Sequence, residues 1–385
     1  MTGCPSLRPR RPPRCGYFLG GSLTVPLRTP RMLKRHRAPH HPPVVTQTLE
    51  RFDCFGGSCA VLLTGRGPAG DGHEATGRVR RRMLDWHRQF SRFEPDSELS
   101  RLNRDHRPVV PVSPTMRRFL AAARDSAELT GGLVDPTLVA ELERAGYGRS
   151  LAGQAAVSLG TALAMAPARR PAAPRARAEW RSVTLDARAG TVARRPGTRF
   201  DTGGIAKGLF VDILAETLAG HPSFAVDACG DLRFGGRAGL ARPVQVPSPF
   251  DESIVHVFQL SGGAAATSGI SRRAWLDADA RPAHHLLDPA TGRPAYTGVV
   301  QATALAPTGV EAEARAKAAV LSGRREASAW LVHGGVVVFD DGSIEIIPQP
   351  PRQTGPPPDA RRWRPALWPP TPAPKHAHPR RRAWR

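Results

Sequence analysis

The sequence predicts an α+β fold: a single domain of mixed strands and helices over residues 46–349, flanked by disordered basic tails at residues 1–45 and 350–385. Three observations predict it. Strand-like and helical apolar patterns alternate irregularly, hairpin signals come late in the chain, and no internal repeat is present. The tails are rich in arginine and proline and too poor in apolar residues to offset the entropy of ordering.

The formal net charge of +22 belongs mainly to the tails, which carry +9 and +8 and leave +5 for the domain. Such tails can contact nucleic acid or anionic lipid by charge alone, but like-charge runs are unspecific, and we expect no specific nucleic-acid partner. The sequence predicts no transmembrane segment and no clear export signal. The five cysteines form no C-x-x-C pair, which favours a reducing compartment. We therefore expect a cytoplasmic protein, with an extracytoplasmic location open if translation starts elsewhere.

The first half of the domain predicts one strand and two helices. A strand at residues 59–63 follows the turn-forming segment 55–58, and the next helix places the apolar residues of segment 79–90 on one face. A second helix is predicted over residues 113–131, between a serine N-cap and a glycine stop. Residues 150–180 are biased toward alanine, proline and arginine, which predicts a loop or a poorly ordered insertion.

The second half predicts mainly strands, with two further helices. In order, the predicted elements are strands at 182–185 and 190–193, a helix from 209, strands at 224–228, 244–246 and 255–260, a helix over 308–323, and a hairpin of strands 336–339 and 344–347. Thr308 and Glu311 have the spacing of a capping box at the start of the last helix.

An acid, two adjacent glycines and a Lys-Gly pair lead directly into the helix that follows residue 208. Free backbone N–H groups at a helix N-terminus, approached through Gly203 and Gly204, form an anion site, and Lys207 adds a positive charge. A phosphate is the expected ligand, although the phosphate motifs G-x-x-x-x-G-K-[ST] and G-x-G-x-x-G are both absent. The same spacing also fits an ordinary glycine-rich helix start with a surface lysine.

Seven short motifs span nearly the whole predicted domain: residues 91–103, 131–137, 201–208, 228–232, 266–269, 285–292, and 306–308 with the helix after it. In this order they resemble the ApbE-type FAD:protein FMN transferases. The resemblance implies a transferase that takes the FMN part of FAD, attaches it to a threonine hydroxyl of a partner flavoprotein or membrane redox protein, and releases AMP. A FAD-binding protein of the same fold that has lost the transfer reaction is the alternative.

The resemblance also implies which residues bind FAD. Lys207, with the two glycines before it, would hold the pyrophosphate, and Asp201 would hold a polar group of the ribityl chain or the nucleotide. Further implied FAD-binding positions are Phe55, Phe93, Leu133, Val134, Asp135, Ser268 and His285. Aromatic rings offer flat apolar area for stacking, although Phe93 also fits an ordinary core residue that continues the preceding helix face.

His285 is the candidate base that takes the proton from the incoming threonine, because imidazole has a near-neutral reference pKa. His284, His285 and Asp288 together also allow a metal site, and Asp288 alone fits a turn residue that caps backbone N–H groups. Contact with the flavin or a base role ranks first, a structural turn second and a metal site third.

The last helix departs from the family pattern. The resemblance implies Mg²⁺, held by an Asp and a Thr four residues apart and by a backbone oxygen near Gly204, but this chain has Glu313 and Lys317. Glutamate binds magnesium, whereas an ammonium group has no lone pair and repels the ion. Two interpretations stay open: an ordinary i, i+4 surface pair, or a Lys317 that projects into the pocket and supplies part of the cation's charge. Lys317 is therefore a candidate catalytic residue together with Lys207 and His285. Cys229 also departs from the pattern, which usually has glycine there.

Overall fold

The computed structural model describes residues 46–151 and 157–351, which lie within one compact unit. The predicted tails fall outside the described residues, apart from residues 350 and 351. Within the described ranges the helices are α1 (Gly72–Phe90), α2 (Glu98–Arg104), α3 (Pro114–Leu129), α4 (Val139–Arg144), α5 (Leu159–Ala164), α6 (Ala206–Leu218) and α7 (Gly309–Ser322).

The strands of the described ranges, in chain order, are β1 (Gln47–Cys54), β2 (Gly57–Thr64), β3 (Val109–Pro111), β4 (Thr184–Asp186), β5 (Thr191–Ala193), β6 (Ser223–Ala228), β7 (Asp231–Gly235), β8 (Arg242–Pro247), β9 (Ile254–Leu260), β10 (Gly263–Gly269), β11 (Ala274–Leu276), β12 (Pro282–His284), β13 (Leu287–Asp288), β14 (Arg293–Pro294), β15 (Val299–Ala306), β16 (Gly335–Phe339) and β17 (Ile344–Ile347).

Eight strands form one antiparallel sheet in the order β1, β2, β6, β7, β10, β15, β16 and β17. Strand β15 is buried along its whole length, as expected for an apolar strand covered on both faces. The other strands form a small sheet, β3-β5-β4, and three two-stranded ribbons, β8-β9, β11-β12 and β13-β14. This arrangement of helices with antiparallel strands confirms the predicted α+β fold. Within the described ranges, no helix is long and apolar enough to cross a membrane.

Helices α6 and α7 cross at two glycines, and each helix caps the other. A Cβ atom added to Gly208 would lie 2.5 Å from the carbonyl oxygen of Gly309, and one added to Gly309 would lie 2.5 Å from that of Gly208. Asp212 of α6 accepts hydrogen bonds from the backbone N–H groups of Gly309 at 2.7 Å and Val310 at 3.0 Å. Glu313 of α7 accepts one from the N–H of Gly208 at 2.9 Å. The carboxylates satisfy N–H groups that a helix start leaves unpaired, and they interact favourably with the helix dipole.

Two hairpins have two-residue turns in the left-handed region of backbone conformation. The turn between β1 and β2 has φ angles of 54° at Phe55 and 76° at Gly56, and that between β6 and β7 has 58° at Cys229 and 95° at Gly230. Positive φ at both central residues defines the hairpin turn that matches the twist of the strands, usually built from Asn or Asp with Gly. The Phe and Cys side chains therefore adopt a conformation that costs on the order of 1 kcal/mol each.

The structure departs from the sequence-based expectations at β1, at the segment 150–180 and at the start of α7. Strand β1 was not predicted, because its charged residues Glu50, Arg51 and Asp53 interrupt the apolar pattern of a half-exposed edge strand. The segment 150–180 is not simply a loop or a poorly ordered insertion: it contains α5, and Ala172 donates a backbone hydrogen bond to α7. Residues 152–156 of that segment lie outside the described residues.

The start of α7 only half matches the predicted capping box. The side chain of Thr308 accepts from the N–H of Glu311 at 3.2 Å, as the spacing predicts. The Glu311 carboxylate instead contacts Arg315 at 2.7 Å and His333 at 3.1 Å. The second half of the cap is replaced by a tertiary ion pair, which the spacing alone cannot distinguish from a cap.

We predict that Gly208→Ala destabilises the protein by about 1–3 kcal/mol, because the new methyl group meets the backbone of Gly309, which cannot move like a side chain. Gly77→Ala in α1 is the matched control. Its Cβ atom would meet only Arg81, at 3.5 Å, so the higher helix propensity of alanine should stabilise the fold by about 0.5–1 kcal/mol. Urea unfolding of both variants measures the difference. A Gly208→Ala protein as stable as the wild type would show that the two helices can separate at low cost.

Candidate functional site

A cleft of about 1490 Å³ is bordered by both left-handed turns and by the start of α6. It exceeds the roughly 300–1,000 Å³ of typical small-molecule pockets, which leaves room for a dinucleotide. It brings together these residues singled out in the sequence: Phe55, Phe93, Leu133, Val134, Asp135, Asp201, Gly204, Lys207, Ser268, His285 and Lys317. Glu313 is fully buried and contacts two of the lining residues, Lys207 and Lys317.

Asp201 holds the glycine turn that precedes α6. One of its carboxylate oxygens accepts from the N–H of Gly203 at 2.9 Å, and the other accepts from Arg92 Nε at 3.2 Å. Ile205, the residue before α6, supplies no side-chain cap to the helix. Gly203, Gly204 and the first turn of α6 line the cleft directly. The geometry therefore meets the requirements of an anion site at a helix N-terminus.

Two lysines and two carboxylates form a buried cluster beside this helix start. Glu313 Oε1 accepts from Lys317 Nζ at 2.9 Å and from Lys207 Nζ at 3.3 Å, while Lys207 also donates to Asp231. The side chain of Glu313 is 0% exposed, whereas those of Lys317 and Lys207 are 8% and 17% exposed. The sequence alone did not reveal Asp231 as a partner of Lys207, because the two residues meet only through the fold.

Protonation within the cluster follows from burial and mutual charge. Burial and the charge of Glu313 raise the pKa of Asp231 to about 7. Burial opposes ionisation of Glu313, but the charges of Lys207 and Lys317 outweigh it and lower the pKa of Glu313. Burial also opposes the charge of Lys207, but Asp231 and Glu313 raise its pKa above the ordinary value. Near neutral pH, two ammonium groups thus face one full carboxylate and one that is partly protonated.

The donor set of this cluster does not fit Mg²⁺. Both oxygens of Glu313 accept from protein donors, one from the two lysines and the other from the N–H of Gly208. Lys317 brings a positive charge and no lone pair. Within the described ranges, no group of three or more His, Cys, Asp or Glu side chains is arranged to hold a metal ion. The interpretation of Glu313 and Lys317 as a surface pair is wrong, because both side chains are buried.

His285 is partly exposed at the cleft, and His284 is buried beside it against the ring of Tyr296, with 4.8 Å between ring centroids. Burial, together with the positive charge of Arg273, lowers the pKa of His285 well below its ordinary value. Its imidazole is therefore neutral near pH 7 and binds a proton less tightly than an ordinary imidazole does. Asp288 accepts backbone hydrogen bonds from Ala290 at 3.1 Å and from residue 173 at 2.9 Å, as the turn interpretation predicts.

An aromatic wall, which the sequence did not reveal in full, lines another part of the cleft. Phe93 meets Tyr147 edge to face at 5.4 Å, and Tyr147 stacks on Trp275 at 5.2 Å. The Arg92 guanidinium lies 4.6 Å from the centroid of Phe93. Trp275 is fixed by a 2.7 Å hydrogen bond to the carbonyl of Ala145. Phe93 is thus not a core residue, and the wall offers flat apolar area to a planar ligand.

Asp135 gives the cleft an unsatisfied polar group. Its Oδ1 accepts from the N–H of Thr137 at 2.8 Å, while its buried Oδ2 has no hydrogen-bond partner among the described residues. Burial raises the pKa of Asp135, since the site favours the neutral carboxyl. Buried polar atoms are rarely left unpaired, so this oxygen marks a site in the cleft wall where a hydrogen-bond partner is expected.

The profile of the ApbE family matches residues 55–339. A protein of Treponema pallidum named FAD:protein FMN transferase is 29% identical over 303 residues, which cover 72% of this chain and 79% of that protein. A protein of the same name from Escherichia coli is 28% identical over 150 residues, which cover 37% of this chain and 42% of that protein. The crystal structure of the ApbE protein of Thermotoga maritima has the same fold, with a TM-score of 0.63 and 24% identity over 78% of this chain and 97% of that one.

We predict that His284 makes the protein less stable in acid. Burial lowers the pKa of His284 to about 3, whereas in the unfolded chain it is about 6.5. Between these values the unfolded chain binds a proton that the folded protein does not, so this histidine lowers the free energy of unfolding by about 1.4 kcal/mol per pH unit as pH falls below 6.5.

Urea unfolding at several pH values between 7 and 4.5 tests this. The stability of His284→Asn relative to the wild type should increase toward acid with that slope. His73→Asn, at an exposed position in the first turn of α1, should show no such trend. A difference between His284→Asn and the wild type that does not depend on pH would contradict the assignment.

Proposed function

The chain belongs to the ApbE family, and from this premise we propose that it is an FAD:protein FMN transferase. It takes the FMN part of FAD, joins it to a threonine hydroxyl of an acceptor flavoprotein or membrane redox protein, and releases AMP. The observation that carries this proposal is the family match over residues 55–339, which include every site residue named above. The size and the charge of the cleft support it independently.

The reaction is an in-line displacement at the FMN phosphorus. The threonine oxygen forms a new P–O bond, the bond from that phosphorus to the bridging oxygen of the pyrophosphate breaks, and AMP leaves with the bridging oxygen. Catalysis of this kind depends mainly on positioning and on neutralising charge. We assign the pyrophosphate to the turn at Gly203 and Gly204, where N–H groups at the start of α6 and the ammonium of Lys207 meet.

Lys207 and Lys317 together supply the positive charge at the pyrophosphate. The family resemblance implies that Mg²⁺ supplies this charge. Lys317 lies four residues from Glu313 on α7 and lines the cleft, so its ammonium group is fixed next to that of Lys207. Both oxygens of Glu313 already accept hydrogen bonds from protein groups, so the proposed reaction does not depend on Mg²⁺. We propose instead that Lys207 and Lys317 contact the pyrophosphate, while Asp231 and Glu313 hold them in place.

The remaining assignments follow from exposure and chemistry. His285 is neutral and reaches the cleft, so it is our candidate for the group that accepts the threonine proton. The wall of Phe93, Tyr147 and Trp275 takes one of the two planar ring systems of FAD. The free oxygen of Asp135 hydrogen-bonds a polar group of the same ligand.

We predict that the purified full chain, incubated with FAD and an acceptor domain that carries a target threonine, makes that domain fluorescent in a denaturing gel and releases AMP. His285→Asn should lower the transfer rate by about 10²–10⁴-fold, as expected for loss of a general base, and change FAD affinity little. His73→Asn, outside the cleft, should transfer at the wild-type rate. Tight FAD binding without any covalent product, tested with several acceptor domains, would instead support the FAD-binding alternative.

We predict that transfer by the wild type continues in excess EDTA. The positive charge belongs to the Lys317 side chain, which a chelator cannot remove. Lys317→Met keeps the length of the side chain but removes the charge, so it should lower FAD affinity, and added Mg²⁺ should not restore it. Glu313→Asp combined with Lys317→Thr restores the family's ligand pair and should bind Mg²⁺, detected by calorimetry in the absence of FAD. Loss of wild-type transfer in EDTA, regained with Mg²⁺, would overturn the role of Lys317 and leave the proposed function intact.

A further inference from the structure

Three cysteines meet beside the two left-handed turns that border the cleft. Cys59 Sγ lies 3.7 Å from Cys229 Sγ, and the Cys229 thiol donates to the carbonyl of Cys54 at 3.2 Å. Cys54 and Cys59 are buried, whereas Cys229 is partly exposed, and Cys54 and Cys229 both border the cleft. The Cys54 thiol donates elsewhere, to the carbonyl of Met83 at 3.5 Å. Cys59 and Cys229 therefore form a pair in which one sulfur is accessible and the other is protected.

The backbone at Cys229 adopts a conformation that glycine would adopt at lower cost. Its φ angle of 58° lies in the left-handed region, which costs a cysteine on the order of 1 kcal/mol. This conformation places Cys229 Sγ against Cys59 and over Gly57, where an added Cβ atom would lie only 3.1 Å from the sulfur. Backbone strain of this kind is often found at functional sites. Here the strained turn holds the Cys229 thiol next to Cys59.

We propose that Cys229 and Cys59 form a thiol–disulfide exchange site, which reacts with small-molecule disulfides that enter through the cleft. The Cys229 thiolate attacks one sulfur of the incoming disulfide, forms a mixed disulfide and releases the first thiolate. Cys59 then attacks the Cys229 sulfur, and its proton passes to the departing sulfur of the small molecule. The Cys59–Cys229 bond forms, the second thiol leaves, and the small disulfide has been reduced to two thiols.

The surroundings assign the two roles. Cys229 is accessible from the cleft, and hydrogen bonding with Cys59, together with the positive charge of Lys207, lowers the pKa of Cys229. The same hydrogen bond, together with burial, raises the pKa of Cys59, so Cys59 stays protonated and Cys229 is the thiol that reacts first. In a reducing compartment both thiols would be free, and a rise in the concentration of small disulfides would oxidise them.

Oxidation would change the anion site, a consequence that rests on the proposed function. The two sulfurs must approach from 3.7 Å to about 2.05 Å to bond, which draws the turn at Cys229 and Gly230 toward β2. Asp231 follows this turn directly and holds Lys207. A shift of the turn therefore moves a partner of the lysine that we assign to the pyrophosphate, and FAD affinity should fall.

The test treats the native full chain with oxidised glutathione, alkylates the remaining thiols, and maps disulfides by mass spectrometry after digestion. The wild type should yield one crosslinked pair of peptides that contain Cys59 and Cys229. Cys59→Ala should instead retain glutathione on Cys229, and Cys54→Ala, the matched control, should still form the disulfide. A stable glutathione adduct on wild-type Cys229, a disulfide through Cys54, or no reaction at Cys229 would overturn the proposal.

FAD titration before and after oxidation tests the consequence. The affinity of the wild type should fall by about tenfold, equivalent to 1.4 kcal/mol, and return with dithiothreitol, whereas the affinity of Cys229→Ala, which forms neither the adduct nor the disulfide, should not change on oxidation. Unchanged affinity of a fully crosslinked wild type would overturn the link to the anion site. Absence of FAD binding in both redox states would count against the proposed function, while the peptide map would still decide whether the exchange site exists.

Discussion

The reciprocal capping of α6 and α7 is the constraint on which the rest of the site depends. Gly208 and Gly309 let the two helix backbones touch, and at that distance Asp212 reaches the start of α7 while Glu313 reaches the start of α6. Glu313 is fully buried and the side chain of Asp212 is 16% exposed, so both need hydrogen-bond partners to stay ionised at a tolerable cost. Both helix N-termini are thereby fixed, and that of α6 lines the cleft with little freedom to relax around a ligand.

The cap also determines how the lysines are arranged. Glu313 uses one oxygen on the N–H of Gly208, so Lys207 and Lys317 must share the other. One carboxylate oxygen cannot balance two ammonium groups, and Asp231 provides the remaining charge. Threonine at position 317 would remove the shorter of the two lysine contacts to that oxygen and would offer a hydroxyl oxygen in place of a charge. Lys317 is therefore compatible with the buried cap at Glu313. The cluster of two lysines and two carboxylates joins α6 to α7 and also borders the cleft.

Sequence reasoning predicted the elements with local signals and missed the contacts that only the fold creates. The N-caps Ser113 and Thr308 located α3 and α7 to within two residues, because capping depends on neighbours in the chain. Strand β1 has no comparable signal. In the site, the ordered motifs predicted part of the cleft lining, including Asp201, Lys207 and His285, but Tyr147 and Trp275 come from segments between the motifs. Nothing in the sequence indicated that Asp212 caps α7 either. A carboxylate that caps a different helix looks, in the sequence, like any polar residue on its own helix.

A charge fixed by lysine behaves differently from one brought by a metal ion. Mg²⁺ binding depends on the concentration of the ion and on free oxygen ligands, whereas Lys207 and Lys317 are always present and are held by groups that titrate. Asp231, whose pKa is raised to about 7 by burial and by Glu313, loses its negative charge as pH falls through that value. The cluster then has one ionised carboxylate for two ammonium groups, and its attraction for an anion grows. Under the proposed function, protonation of Asp231 would therefore raise the net charge of this site as the pH falls, whereas a magnesium-dependent site responds to the concentration of the ion.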